Sequence, residues 1–195
     1  MKRSRLSAYD ITIGSLFVAL MAIGANITAF LPFLQVLGVP LTLQTFFAIL
    51  AGLILGSRLG FFSVFVYALL GLAGAPIFAG FSGGISTLLS PTFGFIVSYV
   101  ILAYFVGKIA ESKRNLPRYI IAALTGIFIN YFIGVNLFYF ALNFWAGGEG
   151  ISFTLAWSSM VPFLIKDIAL AVAAAYFAIR LERTLLHRTQ LRQAA

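Results

Sequence analysis

The sequence predicts an all-α integral membrane protein, a bundle of six transmembrane helices with both termini cytoplasmic. Three observations predict it. Of 195 residues, 62% are apolar or aromatic and 9% are charged, with a mean hydropathy of +1.04. Soluble domains are about 45–50% apolar and about 25% charged. Apolar runs recur at the length of a bilayer crossing, ~17–25 residues. Finally, all of the 13 Lys and Arg except Lys166 fall at one set of helix ends, the cytoplasmic set by the positive-inside rule. The formal charge of +8 would mark a nucleic-acid surface in a soluble chain. Here it marks topology, and no nucleic-acid partner is expected.

The first span is expected over 11–34, behind Lys2, Arg3 and Arg5. Its apolar run exceeds a signal-peptide h-region of ~7–15 residues and lacks a small-x-small cleavage site, so the helix is retained. The next apolar block is interrupted only by Gly56-Ser57-Arg58-Leu59-Gly60. Read as one helix, it buries Arg58 in mid-membrane and sends Arg180, Arg183, Arg188 and Arg192 outside. Read as two short helices, 43–56 and 60–73, turning at Arg58, it leaves every basic residue but Lys166 on the cytoplasmic side. Two helices are therefore expected, with Gly52, Gly56 and Gly60 serving close helix approach, the turn, or both. Spans 92–108, 119–144 and 153–179 complete a single domain, 1–195. The external loops are almost uncharged, with Glu149 their sole charge. The longest, Gly74 to Pro91, carries Ile77, Phe78 and Phe81 as anchors and is expected to fold back onto the helices.

Zero Cys and a single His, His187, exclude disulfides, thiolate or His-based metal sites and a Cys or His triad, so no catalytic residue, metal or cofactor is expected. Gly107-Lys108 is followed by Ile109 and lacks the upstream glycine of a phosphate-binding P-loop. The five acids lie at different depths, so an intramembrane enzyme is not expected. Asp167 and Lys166 are the exceptional charges, deep in the last apolar run. Intramembrane charges cost at least ~2.5–3.5 kcal/mol each and face a cavity or a partner. A carboxylate only accepts hydrogen bonds, which suits a ligand with N–H groups; Lys166 suits a ligand carboxylate. Successive helix residues point ~100° apart, so the two need not share a pocket. Thr42 and Gln44, where the first external loop enters the second helix, and Asn130 and Tyr131 in the fifth, are candidate companions. On the first helix Ser15, Ala19, Ala22, Ala25 and Ala29 form a small-residue stripe suited to close contact, within the bundle or with a second membrane protein.

The segments VPLTLQT (39–45), AGLILGSRLG (51–60), YALLGLAGAPIFAGFSGG (67–84) and SPTFGF (90–95), followed by Pro162 to Asp167 in the last helix, resemble the biotin-binding S components of energy-coupling factor (ECF) transporters. The match lies in their order and spacing. The resemblance implies a six-helix subunit of a bacterial cell membrane that takes up biotin from outside. It implies a transmembrane coupling subunit and two ATPase subunits as partners, with the stripe on the first helix facing the coupling subunit. Asp167 carries over as acceptor of ureido N–H groups. Gln44, Thr42 and the Gly83–Gly84 backbone would complete the polar set, and Phe78 and Tyr131 would pack the fused ring. Many relatives carry Lys one turn after this Asp; here Leu170 stands there, and Lys166 is assigned to the valerate carboxylate. The rival expectations are an S component for another vitamin, an ion-coupled secondary transporter using Asp167 as relay, and a structural membrane subunit that binds no ligand.

Overall fold

Ser7 opens the first helix with a capping box: its hydroxyl accepts from the Asp10 N–H, and the Asp10 carboxylate accepts from the Ser7 N–H. The structure is a computed structural model and describes residues 7–30, 35–36, 39–146 and 150–193. Six α-helices follow in order: α1 (Ala8–Asn26), α2 (Gln44–Leu72), α3 (Phe93–Ala110), α4 (Leu116–Phe144), α5 (Phe153–Ser159) and α6 (Val161–Gln193). A 3-10 turn, Ile27–Phe30, extends α1, and a two-stranded antiparallel ribbon, β1 (Gln35–Val36) with β2 (Val39–Pro40), precedes α2. Two further 3-10 turns, Ala79–Phe81 and Ile85–Leu89, build the loop before α3. Lys2, Arg3, Arg5, Glu149 and residues 31–34 lie outside the described residues, as do the side chains of His187, Arg188 and Arg192.

Among the described residues, five helices are long and apolar enough to cross a bilayer: Ala8–Ala29, Gln44–Leu72, Phe93–Ala110, Leu116–Phe144 and Val161–Thr184. The second is not straight. Gly56 sits inside it at φ 79°, ψ −179°, a conformation open in practice only to glycine. Gln44 Nε2 lies 2.9 Å from Tyr67 Oη, whereas a straight helix would hold those residues ~35 Å apart at ~1.5 Å per residue. A Cβ at Gly60 would meet the Ala51 carbonyl at 3.0 Å. The chain therefore doubles back into two arms, 44–55 and 57–72. The reversal expected at Arg58 falls two residues earlier, at Gly56, which takes up the positive φ of the turn. Arg58 is exposed just beyond the turn.

The second departure is in the last apolar run. The helix expected over 153–179 divides at Met160 into α5, seven residues long, and α6. Pro162 has no N–H for the Ser158 carbonyl, so one helix cannot run through. Asp167 consequently sits about two turns from the start of its helix, not in mid-span.

Glycines let the helices close on one another. A Cβ at Gly52 would meet the Ala103 carbonyl at 2.6 Å, and one at Gly107 would overlap Ser57 N, so the Gly52–Gly56–Gly60 series serves both the turn and the α2–α3 contact. At the same end, Glu111 Oε1 accepts from Ser57 N–H and Oγ–H, both at 2.7 Å, capping the N-terminus of the second arm of α2. Burial pushes the Glu111 carboxyl up, but these hydrogen bonds, together with Lys108 and Arg58, outweigh it and hold the group below its usual range. Arg114 pairs with Glu182 of α6 at 2.9 Å nearby. Outward-facing aromatics such as Phe62, Phe105, Phe128, Phe132 and Phe177 are exposed, a surface incompatible with water and suited to lipid.

Candidate ligand-binding site

The starts of α2, α3 and α6 and the loop after α2 meet at the end of the bundle opposite Arg58 and Glu111. They enclose a cavity of about 210 Å³. The loop from Gly74 to Pro91 does fold back. Phe78 is fully buried, its ring lying over Gly71 and edge-on to Tyr67 at 5.5 Å. Of its two other expected anchors, Ile77 is half-buried, but Phe81 is exposed, its backbone turned to φ 55°.

Asp167 is 4% exposed and lies at the cavity wall. Its Oδ2 accepts from Tyr131 Oη at 2.9 Å and from Thr45 Oγ1 at 3.1 Å. Its Oδ1 lies 2.9 Å from Lys166 Nζ, yet receives no directed hydrogen bond among the described residues. The ammonium's aligned bond goes instead to the Thr42 carbonyl, at 2.7 Å. One carboxylate oxygen is thus held by two hydroxyls while the other has Coulombic compensation but no donor aimed along its lone pair. A carboxylate fixed in this way at the cavity wall can accept hydrogen bonds from N–H groups but not donate them. Lys166 and Asp167 do share one pocket: the long lysine stem curls back so that both charges meet, despite the ~100° between their Cβ directions.

Six of the nine expected ligand contacts line this cavity: Thr42, Gln44, Phe78, Tyr131, Lys166 and Asp167. Gly83, Gly84 and Asn130 are not in its lining. A Cβ on Gly83 would overlap the Ala75 carbonyl, and Gly84 N–H donates to the Gly71 carbonyl at 2.7 Å, so both glycines close the loop. Asn130 Oδ1 accepts from Ser98 Oγ at 2.6 Å, an α3–α4 hydrogen bond. Sequence reasoning missed Thr45, Tyr99, Phe95 and Phe163, all in the lining. Tyr99 is buried beside Thr42 and Thr45. Thr45 lies within the quoted VPLTLQT segment, three residues after Thr42, close to one helical turn; nothing in the sequence separates Tyr99 from the other aromatics. Among the described residues no three of His, Cys, Asp and Glu come together to hold a metal.

On α1 the small-residue stripe splits. Ser15, Ala19 and Ala29 are exposed and Ala22 is half-buried, but Ala25 is fully buried in the core. Ala25 neighbours Gly24, whose Cβ position would run into Phe47 at 2.6 Å; this side of α1 faces α2.

The sequence profile of the BioY family matches residues 1–187. The chain belongs to the BioY family. It is 44% identical over 189 residues to BioYB of Bacillus subtilis (strain 168), covering 95% of this chain and 93% of that protein. It is 34% identical over 173 residues to the biotin transporter BioY of Thermotoga maritima, covering 89% and 95% of the two chains. Among solved structures it resembles the S-component for biotin from an ECF-type ABC transporter, with a TM-score of 0.76 and 22% identity over 90% of this chain and 91% of that one. At that identity the likeness speaks for the fold alone, an all-helical membrane bundle.

Proposed function

We propose that this chain captures biotin at the outer face of a bacterial cell membrane, as the substrate-specific S component of an ECF-type transporter. The observation that carries the reading is the Asp167 carboxylate: buried at the wall of a part-aromatic cavity, with Oδ2 held by Tyr131 and Thr45 and Oδ1 beside the Lys166 ammonium at 2.9 Å. A cyclic urea presents N–H groups from which a carboxylate at this wall can accept hydrogen bonds. Lys166, half-exposed at the same wall, takes the valerate carboxylate. Phe78 and Tyr131 pack the fused ring, Thr42 and Gln44 complete the polar wall, and Gly83, Gly84 and Asn130 support the wall from behind. BioY membership supports biotin over other vitamins.

The topology follows from the charges. Arg58, Lys108, Lys113, Arg114 and Arg118 lie at the end where Glu111 caps α2, and Arg180 and Arg183 lie on the same side. That end is cytoplasmic by the positive-inside rule. The two arms of α2 each count as one crossing, giving six crossings with both termini cytoplasmic and the cavity facing outward. The exposed part of the α1 stripe, Ser15, Ala19 and Ala29, docks the transmembrane coupling subunit, and ATP hydrolysis belongs to two ATPase subunits.

Mass spectrometry of the small molecule that co-purifies with the chain tests the ligand directly; biotin is expected. Competition among biotin, riboflavin and thiamine for the purified chain is expected to be won by biotin alone. Asp167→Asn keeps shape and removes charge; retention of biotin equal to the native chain refutes the role of Asp167.

A further inference from the structure

The turn that covers the cavity is attached to the helices by two side chains the ligand itself does not require. Asn26, the last residue of α1, is 5% exposed, and all of its hydrogen-bonding groups are engaged. Its Nδ2 donates to the Ala22 carbonyl at 3.0 Å and to the Ile77 carbonyl at 3.2 Å, and its Oδ1 accepts the Phe81 N–H at 2.6 Å. The amide thus grips both ends of the turn 77–81 as a neighbouring strand would. From the other side Tyr67 Oη donates to the same Ile77 carbonyl at 3.0 Å, while accepting from Gln44 Nε2 at 2.9 Å. Between these two attachment points the turn is closed by Phe78 N–H on the Ser82 carbonyl at 3.0 Å, with Gly80 and Phe81 both at positive φ. A non-glycine residue at positive φ is uncommon and persists where its surroundings hold it. The turn carries Phe78 and Ala79 into the cavity wall, and Gln44 lines the same cavity.

We infer that Asn26 and Tyr67 are positioning residues that clamp the turn 77–81 over the cavity, and that this clamp sets how long a bound ligand stays. The inference rests on the biotin reading for its ligand but not for its mechanics. A hydrogen-bonded path runs from the cavity wall at Gln44 through Tyr67 to Ile77, and Ile77 is where Asn26 also holds. Loosening either attachment lets Phe78 leave the wall without altering Asp167. Entry of the ligand, limited by encounter with the cavity, changes less than its exit.

The test uses the full chain in nanodiscs, with labelled biotin chased by excess unlabelled biotin. Asn26→Ala removes two of the bonds to the turn and is expected to speed dissociation about tenfold. Tyr67→Phe removes one bond to the turn, together with the one accepted from Gln44, and is expected to speed it severalfold. Asn26→Asp keeps an acceptor for Phe81 N–H but sets its second oxygen against the Ala22 and Ile77 carbonyls, and is expected to speed dissociation at least as much as Asn26→Ala. Poor folding lowers the number of sites filled but not the exit rate of molecules that have bound. Amide hydrogen exchange supplies a readout without ligand: the Phe81 amide is expected to exchange faster in Asn26→Ala than in the native chain. Dissociation within twofold of native in both Asn26→Ala and Tyr67→Phe overturns the inference, as does unchanged Phe81 exchange in Asn26→Ala. If the native chain holds no biotin, the proposed function falls while the exchange measurement still judges the clamp.

Discussion

Tyr131→Phe isolates the part of the site that aims the carboxylate. The substitution keeps the ring, and with it the edge-on contact to Phe95 at a centroid distance of 6.1 Å, and deletes only the hydroxyl that donates to Asp167 Oδ2 at 2.9 Å. A hydrogen bond to a charged group contributes about 1.5–3 kcal/mol, and each ~1.4 kcal/mol is tenfold in a binding constant. Thr45 still holds the same oxygen at the longer distance of 3.1 Å, so the lower end of that range applies. About tenfold weaker biotin binding is expected from the wider swing of a carboxylate tethered once instead of twice. Equilibrium binding on purified protein, normalised to the folded fraction, measures it. Thr45→Val combined with Tyr131→Phe removes the last donor to Oδ2 and is expected to cost more than the product of the single losses. A dissociation constant within twofold of native for Tyr131→Phe refutes the idea that these hydroxyls orient the acid.

Other substitutions separate the wall of the site from its supports. Gly71→Ala places a methyl where the Phe78 ring lies; overpacking of this kind costs about 1–3 kcal/mol. A lower melting temperature and weaker biotin retention are expected together, because the displaced ring is part of the cavity wall. Glu111→Gln removes the charge that caps the second arm of α2, at a cost of about 1 kcal/mol by analogy with N-cap losses, with biotin affinity of the folded fraction unchanged. The pH dependence has a defined sign. Because the Glu111 carboxyl is held below its usual range in the folded protein, its contribution is full above the unfolded-state value of about 4.3 and fades as pH falls through the folded-state value. Thermal melts from pH 7 to pH 3 are expected to show a steeper acid loss for the native chain than for Glu111→Gln.

Charge arithmetic found the reversal of α2, since only a doubled-back helix keeps Arg58 and the C-terminal arginines on one side. It missed the turn by two residues because charge reports where a segment ends, whereas φ decides where it bends. Asp167 and Lys166 stood out by the cost of burying them, and that cost is an intrinsic property of the residue. Asn26 did not stand out, since its role depends on Ile77 and Phe81, more than fifty positions away. Gly83 and Gly84 were assigned to the ligand through family resemblance, but their close approach to Ala75 and Gly71 is a packing matter that no local pattern displays. Pro162, read only as part of a motif, broke the last helix and moved Asp167 toward the helix mouth.

The folded-back helix also shapes what surrounds the protein. At ~1.5 Å per residue the outward-facing arm of α2, 57–72, with Phe62, Phe65 and Leu69 exposed, rises about 24 Å, while α4 with its 29 residues rises about 43 Å. Against a hydrocarbon core of about 30 Å, one flank of the bundle is too short and another too tall. The lipid next to α2 must dip and that next to α4 must rise, or the bundle must lean. Part of the free energy that sets its resting posture is therefore elastic energy held in the bilayer, which makes the posture a function of membrane thickness as well as of sequence.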